Sequence, residues 1–161
     1  MRSLLRLASI TLPVVLLGST AHANDELIKM QQNPGNWVMP TGDYANQRYS
    51  KLDQINNKNA GNLRVAWTFS TGVLRGHEGG PLIIGDTMYV HTPFPNIVYA
   101  LDLSKDGVIK WKYEPKQDPD TIPVMCCDTV NRGPAYADNK ILLHQADTTC
   151  LLYTSPSPRD S

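Results

Sequence analysis

Two adjacent cysteines, Cys126 and Cys127, are the feature of this sequence best suited to chemistry. Adjacent cysteines can be two separate half-cystines, one pair of metal ligands, or partners in a disulfide with each other. Neighbouring Cα atoms across a trans peptide lie about 3.8 Å apart, below the usual disulfide range of about 4.4–6.8 Å. A bond between the two would need support from its surroundings, so the pair marks a candidate functional site.

A second candidate group consists of Glu78, within the glycine-rich stretch 76–81, and Arg132, which follows the cysteines. A guanidinium group matches a carboxylate with two parallel hydrogen bonds, so Arg132 suits an anionic ligand. Read in isolation, Glu78 is an ordinary solvated loop acid and Arg132 an ordinary surface residue. His77 adjoins Glu78, but adjacent side chains rarely bind one metal ion, and no third ligand is nearby in the sequence.

Short strands between turn signals must position these residues. They are predicted at 64–69, 81–84, 87–92, 97–103 and 108–113. The Lys105-Asp106-Gly107 sequence predicts a hairpin turn before the last of them. One helix is predicted, over 25–32, ending near Asn33-Pro34-Gly35. Strands this short and close, without helical periods between them, predict an all-β fold.

The strands repeat along the chain. Gly80-Pro81 and His91 recur as Gly133-Pro134 and His144, each 53 positions later. A period of about 40–50 residues with several strands is typical of β-propeller blades, so about one and a half blades are predicted. The equivalence of His91 and His144 favours a packing role for both over a ligand role. Trp111 closes an Ala-x-Asp-x4-Gly-x3-Trp pattern that predicts packing between blades.

Composition narrows the possible partners. The chain of 161 residues has 15 basic and 15 acidic side chains, so it has no positive field to attract nucleic acid. An apolar content of 41% with 19% charged residues is typical of a globular protein. The expected class is therefore a folded domain without a nucleic-acid partner.

Both ends are expected to lie outside the fold. Residues 1–23 have the order of a secretory signal: Arg2 and Arg6, an apolar run over 7–17, and an Ala-His-Ala cleavage site. Export predicts a compartment that permits disulfides. Residues 150–161 resemble a translated sequencing adapter, so a non-native tail is expected there. The native part of the fold is then 24–149, the N-terminal piece of a longer protein.

Six segments together resemble one enzyme family. Segments 37–43, 48–50 and 54–56 are similar to the opening of quinoprotein alcohol dehydrogenases. Three more segments resemble the methanol dehydrogenase large subunit family: 76–81, 91–96 and 126–133. The stretches 75–81 and 122–132 are most like its lanthanide-dependent branch.

The resemblance implies a periplasmic eight-bladed β-propeller that holds pyrroloquinoline quinone (PQQ) and a calcium or lanthanide ion. It implies oxidation of methanol or another primary alcohol to the aldehyde, with electrons passing to cytochrome c. Cys126 and Cys127 would form a disulfide against one face of PQQ, and Glu78 and Arg132 would meet a PQQ carboxylate. Glu78 would then share a proton or be neutralised by Arg132.

The family's metal ligands and catalytic base would lie beyond this chain, so the chain alone is expected to be inactive. A homo-oligomer or a complex with a small subunit is expected for the full-length enzyme. Two alternatives stay open: a quinoprotein dehydrogenase for larger alcohols or sugars, and a non-enzymatic propeller scaffold. A scaffold has no need of a paired-cysteine turn or an anion-binding arginine.

Overall fold

The computed structural model describes residues 24–154, with side chains described to residue 150. The signal sequence expected at 1–23 and residues 155–161 of the expected tail lie outside this range. The helix is α1 (Asp25–Met30), and the strands are β1 (Leu82–Ile84), β2 (Thr87–His91), β3 (Val98–Asp102), β4 (Val108–Tyr113), β5 (Ala135–Ala137), β6 (Lys140–His144) and β7 (Cys150–Thr154). No helix in the described range is long and apolar enough to cross a membrane.

The strands form two antiparallel sheets, which confirms the all-β prediction. The first sheet has the order β1-β2-β3-β4, and the second has the order β5-β6-β7. Each strand pairs with its neighbour in sequence, as in a propeller blade. At the turn between β3 and β4, Asp106 and Gly107 take left-handed backbone angles, with φ of 52° and 78°. The predicted hairpin turn is therefore present.

The predicted repeat is confirmed by the strand positions. Strand β1 (Leu82–Ile84) and strand β5 (Ala135–Ala137) are 53 positions apart, and so are β2 and β6. Equivalent sequence positions thus occupy equivalent places in the two sheets. The segments that lead into β1 and β5 therefore occupy equivalent positions in the repeat.

The main apolar core lies between the two sheets. Trp111, on β4, packs against this core, and its ring lies 5.9 Å from the ring of Tyr89. Leu27 and Met30 on α1 pack against the same core. The buried members are Leu82, Tyr89, Val98 and Ala100 from the first sheet, with Tyr136, Ile141 and Leu143 from the second. The packing role predicted for Trp111 is thus present, since its ring joins a core shared by both sheets.

Helix α1 also ties the N-terminal segment to the second sheet. The Asn24 side chain caps the helix by accepting hydrogen bonds from the Glu26 and Leu27 amides. The Glu26 carboxylate accepts a hydrogen bond of 2.7 Å from the Asp138 amide, in the turn between β5 and β6. A short segment after the helix pairs with β1 through Trp37 and Ile83.

The prediction of a strand over 64–69 is wrong. This segment forms no strand, and no strand of residues 24–154 pairs with it. Trp67 and Phe69 instead pack on the outer side of the first sheet, against Ile97, Tyr99 and Leu101. Alternating apolar residues can be buried either in a strand or in a segment that packs across the face of a sheet. A strand also needs a neighbouring edge that forms hydrogen bonds with it.

The expectation that residues 150–161 lie outside the fold is wrong for their first five residues. Strand β7 begins at Cys150 and pairs with β6 along its full length, from His144 opposite Cys150 to Lys140 opposite Thr154. Main-chain hydrogen bonds between strands depend little on side-chain identity, so an apolar segment can extend an open edge whatever its origin. The origin of residues 150–161 stays a prediction.

Candidate functional site

Cys126 and Cys127 are bonded to each other in the structure, with their Cα atoms 3.8 Å apart. The turn that follows has three consecutive residues with left-handed φ: Cys127 at 66°, Asp128 at 62° and Thr129 at 62°. This region is unfavourable for residues with a Cβ, most of all for β-branched threonine. Contacts elsewhere must hold the turn, and one is a hydrogen bond of 3.0 Å from the Phe94 amide to the Thr129 carbonyl. We call residues 126–129 the disulfide turn.

Asp128 joins the disulfide turn to the segment that carries Glu78. Its carboxylate accepts a hydrogen bond of 2.9 Å from the Gly76 amide and one of 3.2 Å from Nη1 of Arg75. The Gly76 hydrogen bond, followed by the contact with Arg75, lowers the pKa of Asp128 below its ordinary value. The carboxylate is therefore charged near neutral pH, and it holds together two segments that are 52 residues apart in sequence.

Glu78 and Arg132 also meet, although 54 positions separate their numbers. Nε of Arg132 lies 3.4 Å from Oε2 of Glu78, and the Arg132 side chain is 86% exposed. Both line an open cleft together with Arg48 and with Pro40, Gly79 and Gly80. Arg48 was not expected here from the sequence. The lining of the cleft thus includes two arginines and one glutamate.

Asn131 organises the segment just before Arg132. Its carbonyl accepts a hydrogen bond of 3.0 Å from Nε2 of His91, which fixes the neutral imidazole with its proton on Nε2. Its side-chain amide donates to the His144 carbonyl at 2.9 Å, and its side-chain oxygen accepts from the Gly133 amide at 3.0 Å. The side chain of His91 and the main chain of His144 therefore both contact one residue. Sequence reasoning missed Asn131, although an Asn two residues before a Gly is a common turn signal.

His91 is 4% exposed, and burial lowers its pKa below the ordinary value of 6.5. The hydrogen bond to the Asn131 carbonyl offsets part of this shift, and the charge of His77 lowers the pKa by a smaller amount. In the unfolded chain this imidazole therefore binds a proton as the pH falls through about 6.5, whereas in the folded chain it stays neutral to a lower pH. Stability due to this group is complete above that pH and is lost as the pH falls below it.

We therefore expect the free energy of unfolding to fall between pH 7.5 and pH 5, by at most about 1.4 kcal/mol per pH unit from this one proton. Denaturant titrations of the wild type and of His91→Gln across that range would measure it. The variant should show a shallower dependence on pH. Equal slopes in the two proteins would contradict this role for His91.

Both the sequence and the fold of this chain match known proteins. Residues 37–156 match the family model described as the β-propeller domain of glucose, ethanol and alcohol dehydrogenases. The chain belongs to this PQQ-dependent β-propeller family. The family assignment confirms the predicted propeller fold, and it does not favour the non-enzymatic scaffold.

Individual relatives in the family are methanol dehydrogenases. A lanthanide-dependent methanol dehydrogenase of Methylorubrum extorquens is 72% identical over 131 residues, which cover 81% of this chain and 22% of that protein. Subunit 1 of the cytochrome c methanol dehydrogenase of Paracoccus denitrificans is 54% identical over 76% of this chain and 19% of that protein.

A solved europium-containing methanol dehydrogenase matches with a TM-score of 0.73 and 60% identity, over 76% of this chain and 21% of that one. This chain spans about a fifth of the length of these relatives.

The cleft fits the cofactor of the family. PQQ is a planar quinone with three carboxylates, and the cleft is lined by two arginines, Arg48 and Arg132, a residue type that suits carboxylates. Glu78 has Arg132 as a neutralising partner, which is one of the two arrangements that the sequence left open. No group of three His, Cys, Asp or Glu side chains in the described range could hold a metal ion.

Proposed function

We propose that this chain is the N-terminal part of a periplasmic PQQ-dependent dehydrogenase that oxidises methanol or another primary alcohol to the aldehyde. Its electrons would pass to a cytochrome c. Residues 1–23 would direct export, and residues 24–149 would continue into the rest of the propeller. Here "full-length protein" means that continuous polypeptide. Its oligomeric state would be a homo-oligomer or a complex with a small subunit.

One observation carries the proposal: the fold brings the disulfide turn and the Glu78–Arg132 pair to neighbouring segments, joined through Asp128. A non-enzymatic blade would need neither feature. The names of similar proteins support the same activity, since they include lanthanide-dependent and cytochrome c methanol dehydrogenases.

The residues of this chain would bind and orient the cofactor. Arg132 and Arg48 would offset the charge of its carboxylates, and Glu78 would hold the Arg132 guanidinium in place. The disulfide of Cys126 and Cys127 would provide a rigid apolar surface for one face of a planar ring. When bound, PQQ supplies a quinone that accepts a hydride from the alcohol, with a calcium or lanthanide ion as Lewis acid.

Turnover by the full-length protein tests this function. The apoprotein would be supplied with PQQ and with either a calcium or a lanthanide salt. Methanol, ethanol and glucose would be offered in turn, first with an artificial electron acceptor and then with cytochrome c. We expect aldehyde formation from methanol or ethanol that requires both PQQ and a metal ion.

The polypeptide of residues 24–149 is the matched control, and we expect it to show no turnover under the same conditions. Oxidation of glucose in preference to both alcohols would replace the proposed substrate class with the sugar alternative. Absence of any PQQ-dependent turnover in the full-length protein would contradict the proposal.

A further inference from the structure

Asp128 is unusual because it belongs to the disulfide turn and contacts the other half of the candidate site. It directly follows Cys127, and it accepts hydrogen bonds from the Gly76 amide and the Arg75 guanidinium. Gly76 lies two positions before Glu78 in the chain. A single carboxylate therefore links the disulfide to the segment that carries the Glu78–Arg132 pair.

The disulfide turn has an unfavourable backbone conformation, so it depends on contacts such as those of Asp128. Asp128 and Thr129 both have φ of 62°, where few residues with a side chain are stable. Aspartate tolerates this region better than most residues, and threonine tolerates it poorly. The Phe94 amide holds the far end of the turn through the Thr129 carbonyl. Without the Asp128 contacts, the end of the turn next to the disulfide would be free to relax toward ordinary backbone angles.

We propose that Asp128 is a positioning residue of the cofactor site, which sets the place of the Cys126–Cys127 disulfide relative to the Glu78–Arg132 pair. This inference rests on the proposed PQQ function. Asp128 would not touch the cofactor itself; it would act through the segments that it joins. Arg75 is its charged partner, and the Gly76 amide is its neutral one.

Because the Asp128–Arg75 ion pair is exposed, a positioning role for it can be distinguished from a role in overall stability. The side chains of Asp128 and Arg75 are each 54% exposed, and ion pairs this open contribute little to the stability of a fold. Their loss should therefore leave the melting temperature of the apoprotein nearly unchanged. Cofactor binding should respond more strongly, because an error in the position of supporting groups weakens a site even when the groups themselves remain.

The test uses the full-length apoprotein, titrated with PQQ and followed by the absorbance of the bound quinone. We expect Asp128→Ala to weaken PQQ affinity about tenfold or more, and Asp128→Asn to have a smaller effect because its amide oxygen can still accept from Gly76. Arg75→Lys should retain more affinity than Arg75→Ala, because it keeps the charge. The matched control is Glu114→Gln, which removes another exposed carboxylate that is paired with Lys112.

Melting temperatures of the apoproteins should agree within about 2 °C. Unchanged PQQ affinity in Asp128→Ala, or an equal loss in Glu114→Gln, would overturn the inference. If Asp128→Ala does not accumulate as folded protein, Asp128→Asn and Arg75→Ala decide the question by the same criterion. A wild type that does not bind PQQ would refute the proposed function itself, whereas a binding wild type with unaffected variants would refute only the role of Asp128.

Discussion

Replacing Gly79 with alanine should destabilise the full-length protein by about 3 kcal/mol, the upper part of the usual range for overpacking. A Cβ at this position would lie 2.0 Å from Cε1 of His91 and 2.9 Å from the Asn131 carbonyl oxygen. His91 is buried and bonded to that carbonyl, so neither neighbour can move aside without breaking the contact. Because Gly79 follows Glu78, PQQ affinity should fall as well.

Gly61→Ala is the matched control, since nothing lies within 4 Å of a Cβ built at Gly61. Its stability should stay within about 0.5 kcal/mol of the wild type. Denaturant unfolding of the two variants and the wild type would measure both effects. Equal stabilities for Gly79→Ala and Gly61→Ala would show that the packing of Gly79 on His91 does not matter.

Removing the Arg132 side chain should weaken PQQ binding strongly, because its guanidinium would contact a PQQ carboxylate directly. Hydrogen bonds to charged groups contribute about 1.5–3 kcal/mol, so Arg132→Ala should lower PQQ affinity about tenfold to a hundredfold. The PQQ affinity of Arg132→Lys should lie between those of the wild type and Arg132→Ala, because an ammonium group keeps the charge but cannot form two parallel hydrogen bonds. PQQ titrations of the full-length apoprotein would measure the series.

The matched control for this series is Arg64→Ala. Arg64 is also exposed, and its guanidinium contacts only the neighbouring Leu63 carbonyl among the described residues. Its removal costs the same unit of charge and should leave PQQ affinity within about twofold of the wild type. A loss of affinity in Arg64→Ala equal to that in Arg132→Ala would point to net charge alone.

Local patterns in the sequence predicted most of the fold. The helix at α1 has a polar cap at Asn24, and the strands of the two sheets lie between turn residues such as Asp106 and Gly107. The repeat of 53 residues predicted part of a second blade, and β5 and β6 lie 53 positions after β1 and β2. The prediction of a strand over 64–69 was wrong because the alternation of apolar residues does not show whether a strand edge is available for pairing.

The candidate site was predicted only in part. Glu78, Cys126, Cys127 and Arg132 stood out through motifs, and the structure brings Glu78 and Arg132 into contact. The residues that hold these four in place could not be read from spacing. Asp128 and Asn131 act through main-chain groups far away in the sequence, at Gly76 and His144. Backbone donors and acceptors occur at every position, so no residue pattern marks the ones that a side chain will reach.

We expect this chain to supply one edge and one face of a PQQ site, and a crystal structure of the full-length protein with bound PQQ would show both. We expect a PQQ carboxylate within about 3 Å of the Arg132 guanidinium, and the quinone ring lying against the disulfide of Cys126 and Cys127. Density for PQQ at a place where neither Arg132 nor the disulfide contacts it would contradict this role of the chain.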